Sequence, residues 1–196
     1  GGGGADQLTG GAGIDTADYS ASGAAVNAAL GGTGSGGDAE GDVLAGIENL
    51  VGGAFDDALV GDGAVNALSG GAGDDRLAGK GGADRLDGGT GFDVADFSTS
   101  AGTGMADLAA GTASGGVGLI AIEGLTGSAF DDVLNGDAGD NRLAGGKGAD
   151  LIDGRDGLDT ADYSGSAAAV QVDLALSVQG GTGDAAGDRL MGIEAL

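Results

Sequence analysis

Residues 52–96 read GGAFDDALV, GDGAVNALS, GGAGDDRLA, GKGGADRLD and GGTGFDVAD, five consecutive segments of nine residues. The same phase returns over residues 127–162 as GSAFDDVLN, GDAGDNRLA, GGKGADLID and GRDGLDTAD, and residues 1–18 contribute GGGGADQLT and GGAGIDTAD. In all eleven segments position 1 is Gly, position 6 is Asp or Asn, and position 8 is apolar. Self-similarity at one short period predicts a repeat architecture, in which each segment buries its apolar residue against its neighbours.

Each nonapeptide is predicted to form a turn followed by a very short strand. The Gly-rich positions 1 to 6 favour the turn, because glycine tolerates positive φ and close approach of other backbone. In the last three residues the central side chain faces inward and its two neighbours face outward. Two nonapeptides complete one coil. Turns on the same side of successive coils should therefore stack about 4.8 Å apart.

The composition removes most classes of functional site. The chain has a formal net charge of −24, 49 Gly residues and neither His nor Cys. Without His and Cys there is no zinc or haem centre of the usual kind, no disulfide and no His-dependent nucleophile. The negative charge argues against nucleic acid as a partner, and no apolar run is long enough to predict membrane insertion. Oxygen ligands remain abundant, and they suit hard cations such as Ca²⁺.

The position-6 side chains are the candidate metal ligands. Those that lie two nonapeptides apart are predicted to face one another across a gap lined by carbonyl oxygens, which suits Ca²⁺. The stacked pairs would be Asp57 with Asp75, Asp75 with Asp93, Asn66 with Asp84, Asp132 with Asp150, and Asn141 with Asp159. Position 5 is expected to point outward, so its Asp residues should matter less for the metal.

Four further Asp residues extend this set. Two near-motifs, GDAEGDVLA at 37–45 and GDAAGDRLM at 183–191, place Asp42 and Asp188 at an equivalent position, two residues before an apolar one. Asp6 and Asp15 occupy position 6 of the first two nonapeptides and have no partner at a distance of two nonapeptides. We expect their stacking partners to precede residue 1.

These nonapeptides resemble the GGxGxDxUx repeats of RTX (repeats-in-toxin) calcium-binding proteins. The connecting sequences TADYS, GDVLAGIENL and GSAFDD resemble stretches between repeat blocks in secreted bacterial members of that family. The resemblance implies an all-β fold, a parallel β-roll or β-helix solenoid with multiple Ca²⁺ ions stacked between Gly/Asp-rich turns. It also implies that backbone carbonyls of the first four positions complete the metal shell.

Three stretches break the nine-residue phase yet resemble one another. Each contains an alternating apolar run, followed by a Gly-rich loop and a strand like GIENL; the runs are AVNAAL at 25–30, GMADL at 104–108 and VQVDL at 170–174. We expect these stretches to be wider coils of the same solenoid. The predicted organisation is the end of a first block at 1–18, wider connecting coils at 19–51, 97–126 and 163–196, and regular blocks at 52–96 and 127–162, all within a longer repetitive chain.

The aromatic residues are predicted to close the ends of a thin core. Phe55 and Phe130 replace Gly at position 4 of the first turn in their blocks, and we expect them to be end plugs. Tyr19, Phe97 and Tyr163 each follow the last nonapeptide of a block and are expected to cap it. The middle connecting stretch also lacks the extra Asp, because Val117 stands where Asp42 would align.

The resemblance implies a non-catalytic calcium-binding segment of a secreted bacterial protein, outside the cell or at its surface. RTX chains commonly leave the cell unfolded by type I secretion and fold on meeting external Ca²⁺. Folding should need the ion, because one buried side chain per nonapeptide does not offset the entropy of ordering nine residues. The segment would be a rigid structural, adhesive or secretion-assisting module, with self-association or cell-surface polysaccharide as further partners. The alternatives are a polysaccharide-binding module and the tail of a secreted protease, lipase or alginate-modifying enzyme.

Overall fold

Short strands that pair mainly in parallel make up the protein. The computed structural model describes residues 1–196, with single 3-10 turns at Gly37–Ala39, Ser114–Gly116 and Gly183–Ala185. The strands are β1 (Gln7–Thr9), β2 (Thr16–Asp18), β3 (Asn27–Ala29), β4 (Val43–Ala45), β5 (Asn49–Val51), β6 (Ala58–Val60), β7 (Ala67–Ala72), β8 (Arg76–Ala78), β9 (Arg85–Thr90), β10 (Val94–Asp96), β11 (Met105–Asp107), β12 (Thr112–Ala113), β13 (Val117–Ile120), β14 (Gly124–Thr126), β15 (Val133–Asn135), β16 (Arg142–Ala144), β17 (Leu151–Asp153), β18 (Thr160–Ala161) and β19 (Arg189–Met191). The all-β prediction is confirmed, and the pair β11–β12 is an antiparallel exception. No helix has the length and hydrophobicity needed to traverse a bilayer.

The three-residue strand follows from the last three positions of the nonapeptide. In β6 and β15 the central residues, Leu59 and Leu134, are buried, whereas both neighbours of each are partly exposed. The next residue is the Gly at position 1, which begins the following turn and ends most strands. Each nonapeptide therefore delivers one side chain to the core.

One coil takes two nonapeptides, as the period predicts. Ala58 pairs with Arg76, and Arg76 pairs in turn with Val94. The step from Val133 to Leu151 repeats this spacing later in the chain. Residues at one position of alternate nonapeptides therefore lie beside each other in neighbouring coils.

The chain divides into two compact units, and the first comprises residues 1–95 and 115–122. Its strands form the series β3-β6-β8-β10 and β2-β5-β7-β9-β13, with β1 and β4 as a separate pair. Both series turn their central apolar residues into the core. The fully buried leucines are Leu50, Leu59, Leu68, Leu77 and Leu86.

The second unit comprises residues 96–114 and 123–196. Its series are β14-β16-β18 and β11-β15-β17-β19, and β12 pairs with β11. Leu125, Leu134, Leu143 and Ile152 are its largest buried aliphatic side chains. Both units are thus built on one plan, with two series of strands around a row of large aliphatic side chains.

The connecting stretches supply strands at a wider register. Asn27 of β3 pairs with Ala58, and Met105 of β11 pairs with Val133. Each of these coils is therefore longer than three nonapeptides, whereas a regular coil contains two. The additional residues in the first of them include the 3-10 turn Gly37–Ala39. The division of the chain into six predicted parts stays a prediction.

Two expectations about strands and core packing are wrong. The run at 170–174 forms no strand, although AVNAAL and GMADL contain β3 and β11. Val170 and Val172 are only partly buried and Leu174 is 42% exposed, so this run does not pack into the core. Phe55 and Phe130 are 42% and 44% exposed, so they lie on the outside of their turns and do not plug the core.

Candidate metal centre

Position-6 side chains tie each turn to the turn one coil away. Oδ1 of Asp75 accepts the backbone N–H of Asp57 at 2.7 Å, and Oδ1 of Asp93 accepts that of Asp75 at 2.8 Å. In the second unit Oδ1 of Asp150 accepts the N–H of Asp132 at 2.8 Å. These residues therefore lie in neighbouring turns, and the protein already uses one oxygen of each accepting carboxylate.

The turns on the other edge of each unit carry the same ladder. The N–H of Asn66 donates to Oδ1 of Asp84 at 2.9 Å, and the N–H of Asn141 donates to Oδ1 of Asp159 at 2.8 Å. Consecutive nonapeptides alternate between the two strand series, so their turns alternate between two edges. Each edge therefore holds one row of stacked position-6 side chains.

Glycine is required at position 1 by the second oxygen of the carboxylate. A Cβ placed on Gly70 would overlap Oδ2 of Asp75, and one on Gly145 would overlap Oδ2 of Asp150. Neither glycine has positive φ, so the reason here is steric and not conformational. The position-6 side chain folds back over the start of its own turn, and only glycine leaves it room.

Positions 2 and 4 take the left-handed conformation in the regular turns. Gly71 and Gly73 have φ of 116° and 112°, and a Cβ on either would overlap backbone of the turn one coil away. At position 2, Lys80 and Arg155 adopt φ of 68° and 72° despite their side chains. Successive turns therefore pack backbone against backbone, with carbonyl oxygens at the contact.

Five buried carboxylate oxygens have no hydrogen-bond partner. They are Oδ2 of Asp15, Asp75, Asp84, Asp150 and Asp159. Burial, together with the charges of nearby carboxylates, raises the pKa of Asp75 and of Asp150 to about 7. Burial likewise raises the pKa of Asp84 and Asp159. A buried carboxylate oxygen that lacks both a donor and a counter-charge is strongly unfavourable, so these atoms mark positions that call for a cation.

The surroundings of these oxygens fit a hard cation. A Cβ on Gly154 would overlap both Oδ2 of Asp159 and the carbonyl oxygen of Gly192, so a carbonyl of the next coil lies beside the unpartnered oxygen. The charged groups that could bind a metal here are carboxylates, and the chain has no His or Cys to supply a softer ligand. Ca²⁺ prefers six to eight oxygen ligands of these two kinds, so the donor set fits Ca²⁺.

In the first turn of each regular block, the second carboxylate oxygen of the position-6 Asp accepts hydrogen bonds from its own turn. Oδ2 of Asp57 accepts the N–H of Gly53, and Oδ2 of Asp132 accepts both the N–H of Ser128 at 2.6 Å and its hydroxyl at 2.8 Å. These are the two turns with Phe at position 4, and neither Phe adopts positive φ. A different turn conformation therefore presents N–H groups to the oxygen that lacks a partner in the regular turns.

In each of the two near-motifs, a tyrosine hydroxyl donates a hydrogen bond to the second carboxylate oxygen of the Asp. Tyr19 donates to Oδ2 of Asp42 at 3.1 Å, and Tyr163 donates to Oδ2 of Asp188 at 2.8 Å. Both Asp side chains are fully buried, and burial beside these carboxylates raises the pKa of each tyrosine well above its ordinary value. The tyrosines therefore stay protonated and act as donors.

The remaining predicted ligands fall into two groups. Asp6 is half-buried, and its N–H donates to Oδ1 of Asp42 at 2.8 Å, whereas Asp93 is fully buried. Asn66 and Asn141 are buried, and both their oxygen and their nitrogen are hydrogen-bonded within the protein. The structure thus places all thirteen predicted residues in stacked turns but distinguishes them by what contacts the second side-chain atom.

Two glutamates were missed by the sequence analysis. Oε2 of Glu48 accepts the N–H of Asp15 at 2.9 Å, and Oε2 of Glu194 accepts that of Asp159 at 3.0 Å. The glutamate of the GIENL-like strand thus takes the ladder role that Asp takes elsewhere. The available signal was the spacing, because Glu48 precedes Asn66 by two nonapeptides across the break in phase. The expectation that the stacking partners of Asp6 and Asp15 precede residue 1 is wrong. Asp6 donates to Asp42 and Asp15 donates to Glu48, and both acceptors lie later in the chain across the break in phase.

Comparison with known families agrees with this arrangement. The model of the RTX calcium-binding nonapeptide repeat matches residues 1–17, 42–77, 60–95 and 126–161, which together cover more than half of the chain. The matched stretches contain all five carboxylates that have an unpartnered oxygen. No curated protein sequence matches the chain.

Proposed function

Because the chain belongs to the RTX calcium-binding nonapeptide repeat family, whose repeats bind multiple Ca²⁺ ions, we propose that it is a calcium-dependent β-roll module without catalytic activity. The five buried carboxylate oxygens without a protein donor carry this proposal. When bound, Ca²⁺ supplies the positive charge that converts repulsion among stacked oxygens into attraction. Binding and folding are coupled, because the unfolded chain does not hold these oxygens together.

The proposed ligands are ranked by what already contacts them. Oδ2 of Asp15, Asp75, Asp84, Asp150 and Asp159 would bind the ions, together with carbonyl oxygens of their own and neighbouring turns. Asp93 belongs with them as the next member of the row that contains Asp75, and Asp6 begins the row that continues to Asp42.

Four further carboxylates already have a protein donor on their second oxygen. These are Asp42, Asp57, Asp132 and Asp188, which accept hydrogen bonds from a tyrosine hydroxyl or from their own turn. They would contribute to an ion only through a remaining lone pair. We therefore expect them to bind calcium more weakly than the five with an unpartnered Oδ2.

We further propose that the module belongs to a secreted bacterial protein and folds after export. RTX repeat proteins are typically secreted, and type I export would carry the chain unfolded into a medium with abundant Ca²⁺. The chain has no Cys, so bound ions would provide the cross-links that disulfides provide in other small extracellular domains. Because the chain would fold and become rigid only after export, we propose a rigid structural, adhesive or secretion-assisting role outside the cell.

The alternative functions receive less support from the site. In a polysaccharide-binding module, exposed cations would face acidic sugars, but Arg85 pairs with Asp87 and Arg155 pairs with Asp107. Those guanidinium groups neutralise the chain's own carboxylates. The tail of a secreted enzyme would use the same module beside a separate catalytic domain, and self-association would require further contacts along the roll.

Circular dichroism of the full chain tests the proposal. In chelator we expect a spectrum of a largely disordered chain, and in millimolar Ca²⁺ a β-sheet spectrum. Mg²⁺ at the same concentration should substitute poorly, because it requires a compact octahedral shell and retains water. A β-sheet spectrum that is the same in chelator and in Ca²⁺ would refute calcium-dependent folding, and equilibrium dialysis would then show whether ions bind at all.

A further inference from the structure

Asn66 and Asn141 occupy the same place in the two units. Each is the position-6 residue of the second nonapeptide in its block, where the other nine nonapeptides have Asp. The two side chains are 2% and 3% exposed. They form the same set of hydrogen bonds, so the arrangement occurs twice in one chain.

The oxygen of each amide is directed at a backbone donor of its own turn. Oδ1 of Asn66 accepts the N–H of Asp62 at 2.8 Å, and Oδ1 of Asn141 accepts the N–H of Asp137 at 2.8 Å. A Cβ on the position-1 glycine, Gly61, would overlap this Asn66 oxygen. The oxygen therefore lies where Oδ2 of Asp75 lies in its own turn, but here a protein donor occupies it.

The nitrogen of each amide bridges to the turn one coil away. Nδ2 of Asn66 donates to the carbonyl oxygen of Glu48 at 3.0 Å and to Oδ1 of Asp62 at 3.3 Å. Nδ2 of Asn141 makes the equivalent bonds to the carbonyl of Glu123 and to Oδ1 of Asp137, both at 3.3 Å. Each amide thus binds a carbonyl and a carboxylate oxygen, the two kinds of acceptor that a hard cation would bind.

The direction of the neighbouring backbone explains why this position is not Asp. At an ordinary step Oδ1 accepts an N–H from the preceding coil, as Asp75 does from Asp57. The N–H of Glu48 already donates to the carbonyl of Asp15 at 3.1 Å, so Glu48 presents its carbonyl oxygen to Asn66. A carboxylate there would face two oxygens, whereas an amide offers two N–H donors.

In the second unit, an arginine from the next coil contacts the turn that contains Asn141. Nη1 of Arg155, at position 2 of the next turn on this edge, donates to the carbonyl oxygen of Gly136 at 2.6 Å. The guanidinium also forms a bidentate pair with Asp107. The Asn141 turn therefore has an amide donor on one side and a permanent cation on the other.

We propose that the side-chain amides of Asn66 and Asn141 replace a calcium ion at this step, so that one row of ions in each unit is interrupted. The turn that stacks on the glutamate of a GIENL-like strand is then held to that strand by hydrogen bonds and needs no metal. This inference rests on the proposed calcium-binding function, and it differs from the prediction from the sequence, in which the two asparagines are ligands of the ion.

Calcium stoichiometry of the full chain tests the inference. The wild-type chain, Asn66→Ala and Asn141→Ala would be folded in saturating Ca²⁺ and their bound ions counted by equilibrium dialysis. We expect both variants to retain the wild-type number, with lower resistance to urea at saturating Ca²⁺. Asp84→Ala is the matched control on the same edge, and it should lose at least one ion. Loss of one ion in Asn66→Ala, as in the control, would overturn the inference.

A second variant covers the case in which the alanine variants do not fold. Asn66→Asp conserves shape but exchanges the amide donor for a second oxygen. We expect Asn66→Asp to raise the Ca²⁺ midpoint for folding several-fold. Alternatively, the variant should bind one additional ion at the place where the wild type has the hydrogen bonds of the amide. A lower midpoint with an unchanged number of ions would mean that Asn66 is itself a ligand. If the wild-type chain binds no Ca²⁺, the proposed function fails instead.

Discussion

The backbone N–H of Asp57 donates to Oδ1 of Asp75, 18 residues further along the chain and 2.7 Å away, while Oδ2 of Asp75 accepts no hydrogen bond. One carboxylate thus performs two tasks with its two oxygens. Oδ1 fixes the spacing of neighbouring turns, and Oδ2 is held inside the turn as an acceptor without a donor. In the proposed calcium-bound module the ladder would hold this oxygen in place for the ion, and without an ion the unpartnered buried oxygen makes the fold unfavourable.

Asp75→Ala should raise the Ca²⁺ concentration needed for folding far more than Asp74→Ala. The first variant removes both the ladder bond and the buried oxygen, and we expect a loss of a few kcal/mol, the upper range for single substitutions. Asp74 is exposed, yet its Oδ1 accepts the N–H of Phe92 at 2.8 Å and its own N–H donates to Asp56. Asp74→Ala should therefore cost about 1 kcal/mol and not zero. Calcium titrations followed by circular dichroism measure both, and equal midpoints would show that Ca²⁺ acts only by screening charge.

Gly70→Ala should strongly destabilise its turn, whereas Gly63→Ala should leave the stability nearly unchanged. A Cβ on Gly70 would overlap Oδ2 of Asp75, which cannot move without breaking the ladder. No atom lies within 4 Å of a Cβ on Gly63, and that residue does not have positive φ. We expect Gly70→Ala to cost about 2 kcal/mol or more in urea unfolding at saturating Ca²⁺. Similar losses in both variants would contradict the steric role of position 1.

Tyr19→Phe should destabilise the first unit by about 1–3 kcal/mol, because Oδ2 of Asp42 would lose its donor while buried. The middle connecting stretch has Phe97 and Val117 where the first has Tyr19 and Asp42. The double variant Tyr19→Phe/Asp42→Val should therefore recover part of that loss. Urea unfolding in Ca²⁺ of the two single variants and the double variant measures the coupling, and additive losses would show that the two groups act independently.

Acidification should partly replace calcium in the metal-free chain. Burial raises the pKa of Asp75 and of Asp150 to about 7, from 3.8 for an ordinary Asp. The folded chain therefore binds these protons more tightly than the unfolded chain, and their stabilising contribution is present at low pH and lost as the pH rises towards 7. In chelator, circular dichroism should show more β-structure at pH 5 than at pH 8.

The double variant Asp75→Asn/Asp150→Asn is the control for this pH effect, and it should flatten the dependence. In saturating Ca²⁺ the trend should reverse, because ions bind the ionised carboxylates. A metal-free wild-type chain that loses structure between pH 8 and pH 5 would contradict the environment assigned to these two side chains.

Ala121→Gly should stabilise the first unit by about 0.5–1 kcal/mol. Ala121 has φ of 48°, and left-handed backbone is unfavourable for a residue with a Cβ. At the equivalent place in the other two connecting stretches the chain has Gly46 and Gly192, with φ of 59° and 54°. Urea unfolding in saturating Ca²⁺ measures the change. Gly46→Ala, the reverse exchange, should destabilise by a similar amount. A loss of stability in Ala121→Gly together with a gain in Gly46→Ala would exclude backbone strain as the cause.

The regular part of the fold was predictable because every interaction there is repeated by the next coil. The nine-residue period specifies a turn and one inward residue, and the coil follows from two such periods, as the pairing of Ala58 with Arg76 confirms. The position of Asp75 between two stacking neighbours also follows from counting along the sequence.

Only the tertiary structure distinguished carboxylates with an unpartnered oxygen from those that the protein closes. The donors that close Asp42 and Asp188 come from Tyr19 and Tyr163, 23 and 25 residues away across a break in the repeat. Likewise, the carbonyl of Glu48 selects an amide at Asn66, because the direction of that backbone is set by its hydrogen bond to Asp15. Sequence by itself determined the period, the coil and the candidate ligands, since these depend on local interactions between identical neighbours. Which oxygen is left for a cation depends on single contacts between non-equivalent segments, and no period encodes those.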